Sequence, residues 1–460
     1  MDCLTAAEAI GARVRGPNVG FVGVSTDSRA VRPGELFVAL KGERFDGNLF
    51  AAEAFARGAA AVLVSEDRVF EHPGTLLIVG DTLRALGTLA GFWRQRFELP
   101  LVGISGSNGK TTVKEMCAAM LREHFDAAKV LATRGNLNND IGLPLTLFGL
   151  RAEHEAAVIE IGMNHPGETA YLAGLAMPGI GVINNAQREH QEFMQSVADV
   201  AAEHAALINS LPVRGVAVIN ADDDFAPFWR TVVERRNAEG YSISVVDFGL
   251  QAPAAVSARL RSEGWGSELM LQTPQGDINA ELRVPGRHNV LNALAAAAAA
   301  LGAGASLGAV ARAVDAFRPV AGRLQAKQGL HGSAVIDDTY NANPDSVRAA
   351  IAVLARAARP RWLVLGDMGE VGERGLLFHR EIGEYARAAG LDRLLTVGVL
   401  AVHAVEAFGA GGTHYDSSAA LIDALRGGLE PGCTVLVKGS RFMRMERIVH
   451  ALTGEAMEAH

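Results

Sequence analysis

The chain has 460 residues, a net charge of −8, 49% hydrophobic residues and 20% charged residues. That length suggests about three domains, each long enough for its own core, and the balance excludes a disordered chain. An acidic total without a long basic run argues against non-specific nucleic-acid binding. Three isolated cysteines, Cys3, Cys117 and Cys433, build neither a disulfide framework nor a CxxC metal motif and fit a reducing cytoplasm.

The N-terminus, MDCLTAAEAIGARVRG, lacks the apolar stretch of a signal peptide. Residues 1–98 read as a first unit without a nucleotide loop. Its centre is Val24-Ser25-Thr26-Asp27-Ser28-Arg29, followed by Gly34 to Gly42 and by Phe45-Asp46-Gly47-Asn48. A helix over 51–57 and strands over 60–64 and 76–79 complete it. The polar loops between short strands suit a ligand carrying a base, ribose and phosphates. They suit turn chemistry equally well.

Residues 99–318 alternate apolar strands with helices, which predicts a mainly parallel sheet. The organising stretch is LPLVGISGSNGKTTVKEMCAAMLRE, from Leu99 to Glu123. An apolar strand (101–104) runs into Gly106-Ser107-Asn108-Gly109-Lys110-Thr111-Thr112, and Val113, Met116, Cys117, Met120 and Leu121 follow at helical spacing. Strand, glycine-rich turn and helix form the context of a phosphate-binding loop. Backbone N–H groups and the helix N-terminus attract the anion, Lys110 reaches the β/γ-phosphates, and a hydroxyl of Thr111 or Thr112 suits Mg²⁺. The strict pattern wants a glycine where Ile104 stands, so the match rests on GSNGKTT.

Downstream, Asn136, Asn138 and Asn139 cluster beside glycines. The strand 156–161 carries Glu160 at its end, where a carboxylate by a phosphate loop holds Mg²⁺ directly or through water. The strand 181–183 opens into Asn184-Asn185-Ala186-Gln187-Arg188-Glu189-His190, and 216–220 ends in Asp222-Asp223-Asp224. Residues 237–283 read as a β-rich excursion. The alanine run 293–311, after Pro285-Gly286-Arg287-His288-Asn289, is too weakly apolar to span a membrane and reads as a buried helix.

Residues 319–460 predict a third unit with strands over 335–338, 362–365, 394–397 and 434–437. Their exits carry Asp338, Asn341 and Lys438, at the edge where open α/β sheets bind ligands. Arg441, Arg444 and Arg447 recur every three residues, which predicts a basic face on one helix.

Taken together, DSR (27–29), FDGN (45–48), GSNGKTTVKEM (106–116), GNLNNDIGLPLTL (135–147), EIGMNHPGE (160–168), PGRHNVLNALAA (285–296), DDTYNANPDS (337–346), GDMGE (366–370) and KGSRFMRMER (438–447) carry a resemblance. Along its whole length the chain resembles the Mur ligases of peptidoglycan synthesis. The resemblance implies an α/β chain of three domains: one for a UDP-linked substrate, a central P-loop ATPase, and a Rossmann-like domain that completes the site. It implies a cytoplasmic, monomeric enzyme that uses ATP and Mg²⁺ to join D-alanyl-D-alanine to UDP-N-acetylmuramoyl-tripeptide through an acyl phosphate, giving the pentapeptide precursor. It contacts neither nucleic acid nor membrane.

Carried over by position, Lys110, Glu160, His190 and Arg323 resemble the catalytic set. Thr111, Glu160 and His190 resemble the metal site. Gly106, Ser107, Asn108, Gly109, Lys110, Thr111, Thr112, Asn289, Arg323, Asp338, Asn341 and Asn343 match the ATP site. Ser28, Arg29, Lys41 and Asp46 match the UDP end, and Asn136, Asn138, Asn139, Lys438, Ser440 and Arg441 the rest of the substrate. There are two departures. Asn48 stands where a His is common, and the lysine that many Mur ligases carbamylate, some fourteen residues after the metal-site His, is missing from Val200-Ala201-Ala202-Glu203-His204-Ala205. Glu203 is the expected substitute carboxylate, with His204 as its rival. Folylpolyglutamate synthase, which shares the ATPase chemistry, and a non-catalytic binder of UDP-peptides are the alternative readings.

Overall fold

Runs such as Ala156-Ala157-Val158-Ile159 carry no polar alternation, so they need cover on both faces, which a parallel sheet between helices provides. The computed structural model, which describes residues 1–42, 45–65, 74–263 and 265–455, places them in three such sheets. The first has five strands in the order Arg13–Arg15, Thr75–Val79, Ala61–Ser65, Glu35–Val38 and Gly23–Ser25. Only its first pair is antiparallel.

The central sheet has nine strands. Its parallel part runs Val256–Glu263, Ser244–Gly249, Val216–Asn220, Ile180–Ile183, Leu101–Ser105, Ala156–Glu160 and Val130–Ala132. Pairing Ile104 with both Glu160 and Val182 brings the exits of three strands to one edge. The excursion after residue 243 adds Val256–Glu263, Ser267–Thr273 and Gly276–Leu282, joined as antiparallel hairpins. The third sheet has six strands, in the order Gln325–Gln328, Ala334–Asp338, Thr434–Lys438, Arg361–Gly366, Arg393–Val397 and Gly412–Tyr415. Its register sets Asp338 beside Lys438.

The alanine run divides into two helices, Arg287–Gly302 and Leu307–Ala316, separated by a turn through Gly304 at φ 100°. The first packs against the helix Lys110–Phe125, and its residues 293–300, alanines except for Leu294, are all buried. Among the described residues no helix is long and apolar enough to cross a membrane. Cys3, Cys117 and Cys433 are free and fully buried.

The basic stripe is corrected. Arg441 opens a single 3-10 turn, Arg444 follows in the left-handed region at φ 50°, and the helix starts only at Glu446, so no helix face carries all three arginines. A period of three matched a tight turn as well as it matched an α-helix.

Candidate active site

The strand Leu101–Ser105 delivers the chain to the phosphate loop. Ile104 lies inside that strand, fully buried, so the residue that frees the turn is Gly106 at φ 135°. Gly109 caps the helix Lys110–Phe125 at φ 83°, and a Cβ there would stand 2.3 Å from Asn292 Oδ1. Glycine is required at both places. Asn184 and Asn185 donate to the Asn108 carbonyl at 2.7 and 3.0 Å and fix the loop from the next strand exit.

Around this loop lies a cleft of about 540 Å³, within the usual span of a small-molecule site. Lys110 Nζ donates to the carbonyls of Gly106 and Ser107 and to Glu189 Oε2 at 3.3 Å. Thr111, rather than Thr112, meets the carboxylate: its Oγ1 donates to Glu160 Oε1 at 3.2 Å and accepts from Arg323 Nη2 at 2.8 Å. Asn138 Nδ2 donates to the same Glu160 oxygen at 2.8 Å. Glu160 is buried, and its Oε2 has no hydrogen-bond partner. A buried, unpaired carboxylate oxygen is costly, and it points to a cation. Among the described residues no three His, Cys, Asp or Glu side chains gather as a metal cage.

His190 sits at φ 48°, with Nδ1 2.6 Å from Glu370 Oε2 and Nε2 3.7 Å from Glu189 Oε2. Glu370 is also left-handed, at φ 57°. Two strained non-glycine residues therefore face each other across the junction of the central and third sheets, the kind of backbone found at functional sites. The neighbouring Arg188 binds Asp345 at 2.6 Å and Glu381 at 2.6 Å, which ties the same two parts together. Asn343 caps the helix Pro344–Leu354 in a capping box and exchanges hydrogen bonds with Asn108. Arg323 lies over the Tyr340 ring at 4.1 Å. Lys438 is buried and donates to Asp338 at 2.6 Å and to the Asn341 carbonyl at 2.9 Å. Burial pushes the His288 pKa down to about 4; Asp338 opposes that shift and Lys438 reinforces it.

Three family patterns match in order: the Mur ligase family catalytic domain over 21–88, the Mur ligase middle domain over 104–300, and the Mur ligase glutamate ligase domain over 322–441. The UDP-N-acetylmuramoyl-tripeptide–D-alanyl-D-alanine ligase of Escherichia coli (strain K12) is 40% identical over 447 residues, covering 97% of this chain and 96% of that protein. The chain belongs to the Mur ligase family. A crystal structure of MurF from Acinetobacter baumannii superposes with a TM-score of 0.89 at 32% identity, covering 98% of each chain. MurF ligase from Thermotoga maritima, in complex with ADP, superposes with a TM-score of 0.82 at 27% identity, covering 93% of this chain and 96% of that one.

In this Mur ligase the cleft gathers Ser107 to Thr112, Asn136, Asn138, Asn139, Glu160, His190, Asn289, Arg323, Asp338, Asn341, Asn343 and Lys438. Asn139 also accepts from the backbone of Gly142 at 2.8 Å and so caps the next helix. Ser28, Arg29, Lys41 and Asp46 lie on the first sheet's loops, outside the cleft lining. Arg29 pairs with Asp27 at 2.9 Å, and Asn48 is buried, spending its amide on Asp46 and Ser65.

Three further expected residues, Glu203, Ser440 and Arg441, also lie outside the cleft lining. Glu203 does not reach the cleft: its two oxygens accept from the backbone of Gly167 at 2.9 Å and Thr169 at 2.8 Å, capping the helix Glu168–Ala176. Ser440 is buried as a tie, accepting from Gly369 N and donating to the Ala342 carbonyl. Arg441 is exposed and pairs with Glu446 at 3.5 Å.

Sequence reasoning passed over Arg188, Glu189, Glu370 and His288. Each lies in a strand-exit or helix-start segment that it had singled out, and only the tertiary partners separate them from ordinary polar loop residues.

Proposed function

We propose that the chain is an ATP-dependent UDP-N-acetylmuramoyl-tripeptide–D-alanyl-D-alanine ligase, a cytoplasmic enzyme acting as a monomer. The near-full-length likeness to the Escherichia coli ligase carries this reading. The tripeptide's terminal carboxylate attacks the γ-phosphorus of ATP, giving an acyl phosphate and ADP. The amine of D-alanyl-D-alanine then attacks the acyl carbon, and the tetrahedral intermediate expels phosphate as the amide forms and the amine gives up its proton. No protein nucleophile is needed, so the side chains position groups and balance charge.

Under this reading residues 1–98 hold the UDP end through Ser28, Arg29, Lys41 and Asp46. Residues 99–318 hold the phosphates on the loop amides and Lys110. Residues 319–460 bring Arg323 to the phosphates and Asp338, Asn341 and Asn343 to the nucleoside. Glu160 with the Thr111 hydroxyl is a pair of hard oxygen donors that fits Mg²⁺, an ion that keeps waters and takes phosphate oxygens as its other ligands. Bound there, Mg²⁺ would offset the charge of the β- and γ-phosphates. His190 is a softer donor, held between Glu189 and Glu370.

The test is phosphate release from ATP with UDP-N-acetylmuramoyl-tripeptide, with and without D-alanyl-D-alanine. Release that needs both substrates, with a UDP-pentapeptide by mass, is expected. Tight binding of the UDP-tripeptide without release would turn the reading to a non-catalytic binder.

A further inference from the structure

Behind Lys110 lies a buried polar chain that no step above uses. Ser105 Oγ is 2.9 Å from His204 Nδ1, His204 Nε2 is 3.1 Å from Glu189 Oε1, and Glu189 Oε2 faces Lys110 Nζ at 3.3 Å and His190 Nε2 at 3.7 Å. His204 is fully buried and Glu189 nearly so. Each ring nitrogen of His204 thus has one fixed partner, Ser105 on one side and Glu189 on the other, and the ring is held in one orientation between them.

That arrangement divides the work of the two Glu189 oxygens. His204 takes Oε1, which leaves Oε2 aimed at Lys110 and His190. With Gly106 O, Ser107 O and Glu189 Oε2, all three donors of the Lys110 ammonium are engaged. The ammonium is held at the mouth of the loop. We propose that Glu189, aimed by His204 and Ser105, is a positioning residue for phosphoryl transfer that fixes the Lys110 ammonium. It is also an anion encoded in the protein: the sequence has no lysine between Lys129 and Lys327, so no carbamate can form on the helix Val197–Asn209 that carries His204. The inference rests on the ligase reading for its chemistry.

The experiment compares the full-length wild type with Glu189→Gln, His204→Ala and His204→Gln. It measures kcat, KM for each substrate, ATP affinity by calorimetry and apparent Tm, with and without bicarbonate. Wild type should turn over equally in carbon-dioxide-depleted buffer. Glu189→Gln and His204→Ala should lose roughly 10- to 100-fold in kcat, the range for groups that orient a reacting centre, with KM for the UDP-tripeptide unchanged. ATP affinity should weaken several-fold in both. His204→Gln should recover most of the loss, because its amide can donate to Glu189 and accept from Ser105. Variants that lower Tm but keep wild-type kcat and ATP affinity per folded molecule would overturn the proposal, as would a wild-type rate that rises with bicarbonate. A wild type that binds ATP with this pattern of affinities yet never turns over would overturn the ligase reading instead.

Discussion

Two glutamates near the phosphate loop show how little residue type decides. Glu160 leaves one buried oxygen unpaired beside the Thr111 hydroxyl, whereas Glu203 has both oxygens bonded to backbone N–H groups at a helix start. Their substitutions should separate stability from activity. Glu160→Gln replaces the buried oxygen that has no partner and takes away the carboxylate proposed for Mg²⁺, so ATP turnover should fall at least about 100-fold while apparent Tm holds or rises. Glu203→Ala removes a helix cap worth about 1 kcal/mol, so Tm should fall while kcat and the Mg²⁺ titration keep their wild-type values. Melting curves and a coupled phosphate assay on the same samples check both. A loss of Mg²⁺ dependence in Glu203→Ala would restore it as the substitute carboxylate. The sequence order of Glu203 and His204 could not choose between them; only the direction each takes from its helix does.

At the level of elements, the helix Arg287–Gly302 lies against the phosphate-loop helix with Ala293 and alanines 295–300 buried on every side. Small side chains allow that close approach, and each added methylene must displace backbone or neighbours. Ala296→Leu should therefore destabilise by about 1–3 kcal/mol, read as a lower apparent Tm and a lower ATP affinity, because Asn292 on the same helix sits against Gly109. A Tm equal to wild type would show slack in that contact. Elements such as this were legible to different degrees. The strand Val216–Asn220 has the bounds its apolar run predicts, and the phosphate loop is a contiguous motif. The Arg441 turn misled because tight turns and helices share a three-residue spacing. Glu189 stayed invisible because its partners Lys110 and His204 are 79 and 15 residues away in sequence.

On the scale of the whole molecule, Arg188 ties the central part to Asp345 and Glu381 of the third, beside the Asn108–Asn343 and Arg323–Thr111 hydrogen bonds, and Arg348 binds Glu381 from within the third part. Arg188 holds the Glu381 carboxyl below its ordinary 4.5, with burial opposing and Arg348 assisting. A carboxylate depressed on folding contributes its full stabilisation above 4.5 and loses it as the pH falls through its folded value. Small-angle scattering on wild type should show the radius of gyration growing as the pH drops below 4.5, before far-UV circular dichroism changes. Arg188→Ala should already be expanded at neutral pH and show little of that acid step. A variant as compact as wild type would place the closing force elsewhere.

The buried thiols bear directly on how such movement can be seen. Burial pushes Cys117 and Cys433 up to about 12, and Cys3 upward as well. No native thiol of the folded chain then offers a maleimide a ready thiolate. Cysteines introduced at the exposed positions Val22 and Val399 can carry a pair of spin labels or dyes in the otherwise unaltered protein. The distance distribution between them would report every position of the outer units, one molecule at a time, against a silent background.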